Sequence, residues 1–219
     1  MRLHSTAIVC ACALLTIATA GLLTRKPVQA QGAKPAPAFR PEYTQDGKLV
    51  EPANYRQWVY LTSGFDMTYR APNPNPGDNS VFDNVFVNPD AYASFLETGT
   101  WPDKTVMVLE IRKARSTGEP LVKGGRFQST ELAGIEVHVK DSARFHRGGS
   151  EGTWGFFDVN LKDGTGQAFP PEATCFSCHQ AHAAVDTTFV QFYPTLLPLA
   201  EKKGTLSDAY RSDHNPAAP

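Results

Sequence analysis

Cysteine is scarce in this 219-residue chain: four positions, in two close pairs, Cys10/Cys12 and Cys175/Cys178. Four are too few for a disulfide framework, and a chain this long buries enough core to do without one. An excess of either charge is also missing. The 21 basic and 22 acidic residues leave a net charge of −1, without the basic surplus that a nucleic-acid-binding domain carries. Methionine is rarer still, and the last of the three is Met107. No apolar run beyond Leu23 approaches the roughly 20 residues of a membrane-spanning helix. What remains is a 41% hydrophobic, 20% charged chain, too apolar for disorder and the right length for one domain.

The amino terminus reads as a targeting segment. Arg2 precedes the apolar run Ile8–Leu23, and Val28-Gln29-Ala30 supplies small residues before a cut. This is the pattern of a secretory signal peptide over residues 1–30, so Cys10 and Cys12 count only as apolar residues of a leader. Cleavage removes three basic residues and no acid, taking the net charge to −4. The expected location is the periplasm, with no stable membrane anchor once the leader is gone. Residues 31–42 are a Pro/Ala-rich linker. Residues 43–203 are the domain, and 204–219 read as a flexible, fraying tail.

Within the domain the pattern is mostly strand. Val59, Leu61, Phe65, Met67 and Tyr69 share one face with a bulge at Gly64, and Val81–Val87 is a second strand. Asn88-Pro89 opens a short helix that Gly99 stops. From Thr105, residues Met107, Leu109 and Ile111 alternate with Val106, Val108 and Glu110. Ile135, Val137 and Val139 alternate with Glu136, His138 and Lys140, which reads as a strand with one wet face. Trp154–Leu161 follows, then a turn at Lys162-Asp163-Gly164. Helical signals return at Cys175 and over Thr195–Lys203. The expected class is α+β, a predominantly antiparallel sheet with short helices and the motif-bearing helix near the carboxyl end.

Cys175-Phe176-Ser177-Cys178-His179 is a C-x-x-C-H sequence, the attachment signature of c-type haem. On a helix, positions i, i+3 and i+4 lie on one face. Both thiols can then bond the haem edge while His179 reaches the iron. The rivals fit less well. A thioredoxin-type pair belongs near the start of a βαβ unit. A zinc site made of Cys175, Cys178, His179 and His182 would string its ligands over about 10 Å of helix, which cannot surround a tetrahedral ion. A disulfide across two intervening residues would be strained. The implied cofactor is one covalently attached haem c.

With no methionine after the motif, a sixth ligand would have to be Met67 or Met107, and both suit apolar packing better. Glu172, three residues before Cys175, is the candidate catalytic acid near the haem edge, against an exposed turn residue. His138, His146 and His214 read as exposed, and His182 as a surface residue or a partner of a haem propionate.

The segments Cys175–Pro194, Phe82–Pro89, Trp101-Pro102-Asp103, Val137–Asp141 and Trp154–Phe157 together resemble the cytochrome P-460 family. The resemblance implies a homodimeric, largely antiparallel β domain with one five-coordinate haem c and His179 as its proximal ligand. In the cross-linked branch a lysine bonds the haem ring and the protein oxidises hydroxylamine with the help of a pocket carboxylate. Placing that branch's pattern on Lys104–Glu110 puts Leu109 where the lysine would stand. Neither Lys113 nor Lys140 suits as a substitute. The sequence is therefore more similar to the cytochrome c′-β branch, with an apolar distal pocket for nitric oxide or carbon monoxide. Leu109, Met107, Phe82 and Phe86 are its candidate walls. The alternatives are an oxidoreductase acting on hydroxylamine, peroxide or another small nitrogen or oxygen species, and an electron carrier. A periplasmic redox partner would serve either alternative.

Overall fold

The structure is a computed structural model that describes residues 39–68, 80–145, 150–170 and 173–214. The expected leader, most of the linker, Tyr69, His146 and Glu172 lie outside the described residues. Among the described residues no helix is long and apolar enough to cross a membrane.

Among the described residues seven strands form one antiparallel sheet. They are β1 (Leu49–Val50), β2 (Val59–Phe65), β3 (Val81–Val87), β4 (Val106–Arg115), β5 (Phe127–Lys140), β6 (Trp154–Asn160) and β7 (Thr165–Ala168). Their spatial order is β1-β7-β6-β5-β4-β3-β2. From β2 to β7 every strand pairs with its successor, and β1 closes against β7. The strand irregularity expected at Gly64 lies instead between Tyr60 and Thr62. Phe65 and Met67, expected on the same inner row as Leu61, are exposed.

Alternation sends successive side chains to opposite faces. On one face Val106, Val108, Ile135, Val137, Val139, Phe157 and Val159 pack with Leu49 and Tyr55. On the other, Val87, Met107 and Trp154 pack beneath the helices. The helices are α1 (Pro89–Thr98), α2 (Thr174–His182), α3 (Leu197–Lys203) and α4 (Asp208–His214), so the α+β reading holds.

Gly99 ends α1 in the left-handed conformation (φ 77°), its N–H donating to the carbonyl of Phe95. Asn88 stands at the N-cap as expected, its carbonyl accepting from the Tyr92 N–H, but its side chain makes no capping bond. Its Oδ1 accepts from the Val106 N–H at 2.8 Å while its Nδ2 donates to Asp90, tying β4 to the start of α1. The tail also differs from expectation. Asp208–His214 is helical because Tyr210 is buried and Ser207 ties the helix entrance to Ala183 and Ala184.

Close packing makes one glycine of β6 testable. A Cβ on Gly155 would lie 2.2 Å from the ring of Phe145. Gly155→Ala is expected to cost about 1–3 kcal/mol through overpacking. Urea unfolding measures it, and a change under about 0.5 kcal/mol would mean that the ring yields freely.

Candidate functional site

The chemistry gathers where α2 lies against the sheet. The helix begins after extended Ala173 and ends at Ala183, whose N–H donates to the carbonyl of His179. Cys175, Cys178 and His179 fall at i, i+3 and i+4 and so share a face. Both thiols are free and half-buried. Burial pushes the Cys175 thiol up, and the charge of Glu136 adds to the shift.

His179 is held from two directions. Its Nδ1 lies 2.7 Å from the carbonyl oxygen of Thr187, an acceptor only, so Nδ1 carries the proton. The ring packs against Phe189, Phe156 and His138 at centroid distances of 4.2, 4.7 and 5.1 Å. Burial lowers its pKa to about 4. The result is a neutral imidazole of one tautomer, with the lone pair on Nε2, the atom a metal takes.

One turn, Val185–Thr188, and a set of polar side chains stand behind that carbonyl. Asp186 and Thr187 both adopt positive φ, at 47° and 58°. Lys140 Nζ lies 2.5 Å from Asp186 Oδ2 and donates to the carbonyl of Trp101 at 2.8 Å. Trp154 Nε1 donates to Asp186 Oδ1 at 3.3 Å. Trp101 Nε1 donates to Thr188 Oγ1 at 2.8 Å.

The face of β5 read as wet is therefore largely covered. Lys140 keeps 17% of its side chain exposed. His138, expected to be exposed, stacks on Phe156 at 3.9 Å and lies against Trp154. Its Nε2 is buried without a hydrogen-bond partner. Burial, with His179 beside it, lowers its pKa well below the ordinary value. Glu136 stays accessible, but partial burial and the charges of Asp158 and Asp83 raise its carboxyl. Burial next to Asp66 lifts Asp83 to about 6.

The four expected wall residues do not share a face. Leu109 pairs with Glu136 across β4 and β5, is half-buried, and belongs to neither core cluster. Met107 points the same way but is buried, with the Tyr193 hydroxyl 3.9 Å from its sulfur. Phe86 and Phe82 oppose Val108 and Arg112 in the register, which sets them on the reverse face. There Phe86 meets Tyr55 and Tyr60, and Phe82 meets Phe65. They do not join Leu109 because one position along a strand reverses the side chain.

The remaining candidates separate from the site. His182 is exposed, with Nδ1 2.8 Å from Asp213, and His214 is exposed beside Tyr210. Lys113 pairs with Glu131 at 2.6 Å. Sequence reasoning missed Glu136, His138, Lys140 and Asp186 as a group. The cross-strand partnership with Leu109 was the only available signal for Glu136, and it requires the register.

The residues present fit a covalently held haem. Two unbridged thiols stand one turn apart, an imidazole of fixed tautomer follows, and the surround is aromatic with one orphaned buried nitrogen on His138. Among the described residues no three His, Cys, Asp or Glu side chains converge as a metal site of their own, so the four zinc-type candidates do not form a cage. No curated protein matches the chain. A family model does, the one described as Cytochrome P460, over residues 52–190.

Proposed function

The chain belongs to the cytochrome P460 family and is a haem c protein; from that premise we propose that its iron is ligated by His179 and binds small ligands. Cys175 and Cys178 carry the thioether bonds. A haem held there would offer its iron to nitric oxide or carbon monoxide. The single observation that carries this reading is the fixed tautomer of His179, one residue beyond two free thiols on the same helical face.

Bound haem supplies an iron that exchanges electrons and small axial ligands. The protein does the rest. The Thr187 carbonyl holds the imidazole proton on Nδ1, and Phe156 and Phe189 restrict water around the ring. Met107 is engaged with Tyr193 in the core, which favours an open sixth position. By the resemblance of Lys104–Glu110 to the cross-linked branch's pattern, Leu109 falls where that branch has its lysine. Lys113 and Lys140 are each held in an ion pair, which supports the branch without a lysine–haem bond. An exported, periplasmic protein accords with the leader expected over residues 1–30 and with covalent haem.

A second reading, oxidation of hydroxylamine, is favoured by Glu136 beside Leu109. A carboxyl raised by partial burial can hold and release a proton near a nitrogen ligand. The spectrum of the purified ferrous holoprotein tests the first reading. A high-spin five-coordinate spectrum that converts stoichiometrically on addition of nitric oxide is expected, and a low-spin six-coordinate spectrum without added ligand would overturn it. Hydroxylamine turnover with an artificial acceptor, reduced about 10²–10⁴-fold by Glu136→Gln, would instead establish the oxidoreductase.

A further inference from the structure

We infer that the partly buried pair Lys140–Asp186 positions the proximal histidine: it locks the turn whose Thr187 carbonyl sets the strength of the His179–iron bond. This rests on the reading of His179 as the axial ligand.

The turn needs a lock. Asp186 and Thr187 are consecutive non-glycine residues at positive φ, a conformation that L side chains resist. The backbone closes it with a bond from the Thr188 N–H to the Val185 carbonyl at 2.8 Å and a longer return bond. The side chains fix it to the sheet. Asp186 is 10% exposed and meets Lys140 on β5 and the indole N–H of Trp154 on β6. Lys140 in turn binds the Trp101 carbonyl, and the Trp101 indole binds Thr188 Oγ1, whose hydroxyl donates to Val185. Both ends of the turn are thus held by one closed polar network.

Stability alone is a poor reason for this pair. Two charges with so little solvent cost about as much to desolvate as they regain, and apolar residues would do as well. What the pair supplies is position. The carbonyl it fixes is the acceptor for the His179 Nδ1 proton, at 2.7 Å. The firmer that bond, the more basic Nε2 becomes and the more electron density it gives the iron. Lys140 is therefore a positioning residue acting through Asp186 and the backbone, its amine engaged by the Asp186 carboxylate and the Trp101 carbonyl.

The test uses the holoprotein. Asp186→Asn and Lys140→Met are compared with wild type and with Lys140→Arg, which keeps the charge. Resonance Raman of the ferrous form reads the iron–histidine stretch, and a redox titration reads the midpoint potential. Both neutral variants are expected to move the stretch to lower wavenumber and the potential to more positive values, with Lys140→Arg close to wild type. Folded variants with the wild-type stretch and potential would overturn the inference. If Asp186→Asn does not fold, the same comparison among Lys140→Met, Lys140→Arg and wild type decides it. His179→Gly is the control for the underlying reading. Loss of the band and its return with added imidazole upholds the axial assignment. A band that survives that substitution overturns the assignment, and the inference with it.

Discussion

Replacing Glu110 by alanine is expected to destabilise the domain by about 2–4 kcal/mol, because it strips the buried acceptor from Tyr55 and from two arginines that are only partly solvated. Glu110 is 3% exposed on the face of β4 opposite Leu109. Its carboxylate accepts from the Tyr55 hydroxyl at 2.5 Å and from Arg56 at 2.6 and 2.7 Å, and it also pairs with Arg112. Burial alone would raise this carboxyl, but the hydrogen bonds from Arg112 and Tyr55 and the charge of Arg56 hold it below the ordinary 4.5. A depressed carboxyl stabilises the fold above its unfolded pKa, and that contribution is lost as pH falls through the folded value. The loss is therefore expected below pH 4.5. Asp83, raised to about 6, acts in the opposite direction at higher pH. Urea unfolding at neutral pH and at pH 4 measures both effects. A loss under about 1 kcal/mol at neutral pH would place the cluster with solvated surface pairs.

The second large effect concerns attachment. The double variant Cys175→Ala/Cys178→Ala is expected to carry no haem through acid extraction, whereas the wild type keeps all of it. A tether holds its group at an effective concentration on the order of millimolar even when it is flexible. Without the thioethers only the His179–iron bond and the aromatic contacts remain. Intact mass under denaturing conditions reads the result, with the mass of the bare polypeptide expected for the double variant. Haem mass persisting on the double variant would show a third covalent link, and a digest would locate it.

The haem motif was legible because its spacing is local. Cys175, Cys178 and His179 need only a helix to share a face, and a five-residue window contains them all. The strands were legible through alternation, and the ends of β3 and α1 through Asn88, Pro89 and Gly99. The surroundings of the motif were not. Glu136, His138 and Lys140 are polar at every second position, a pattern equally suited to water or to a polar site beneath a covering segment. Only the tertiary placement of α2 and the 184–196 segment distinguishes the two. Phe82 and Phe86 failed as wall residues for a related reason. Each strand alternates correctly by itself, but which face of β3 joins which face of β4 depends on register. The Asp186–Thr187 turn left no mark either, since neither residue is the glycine or asparagine that usually announces positive φ.

The order of the sheet has a kinetic consequence. Five of its six pairings join strands consecutive in the chain, β6–β7 through a short turn and β3–β4 across α1, so each closes a far smaller loop than the sixth. The sixth joins Leu49 to Gly166, 117 positions apart, and must pay the entropy of the largest loop. The amino-terminal strand is therefore expected to dock after the meander has formed. The thiol-bearing helix follows β7 in sequence, so attachment chemistry meets a chain whose platform can be complete while its last segment is still undocked.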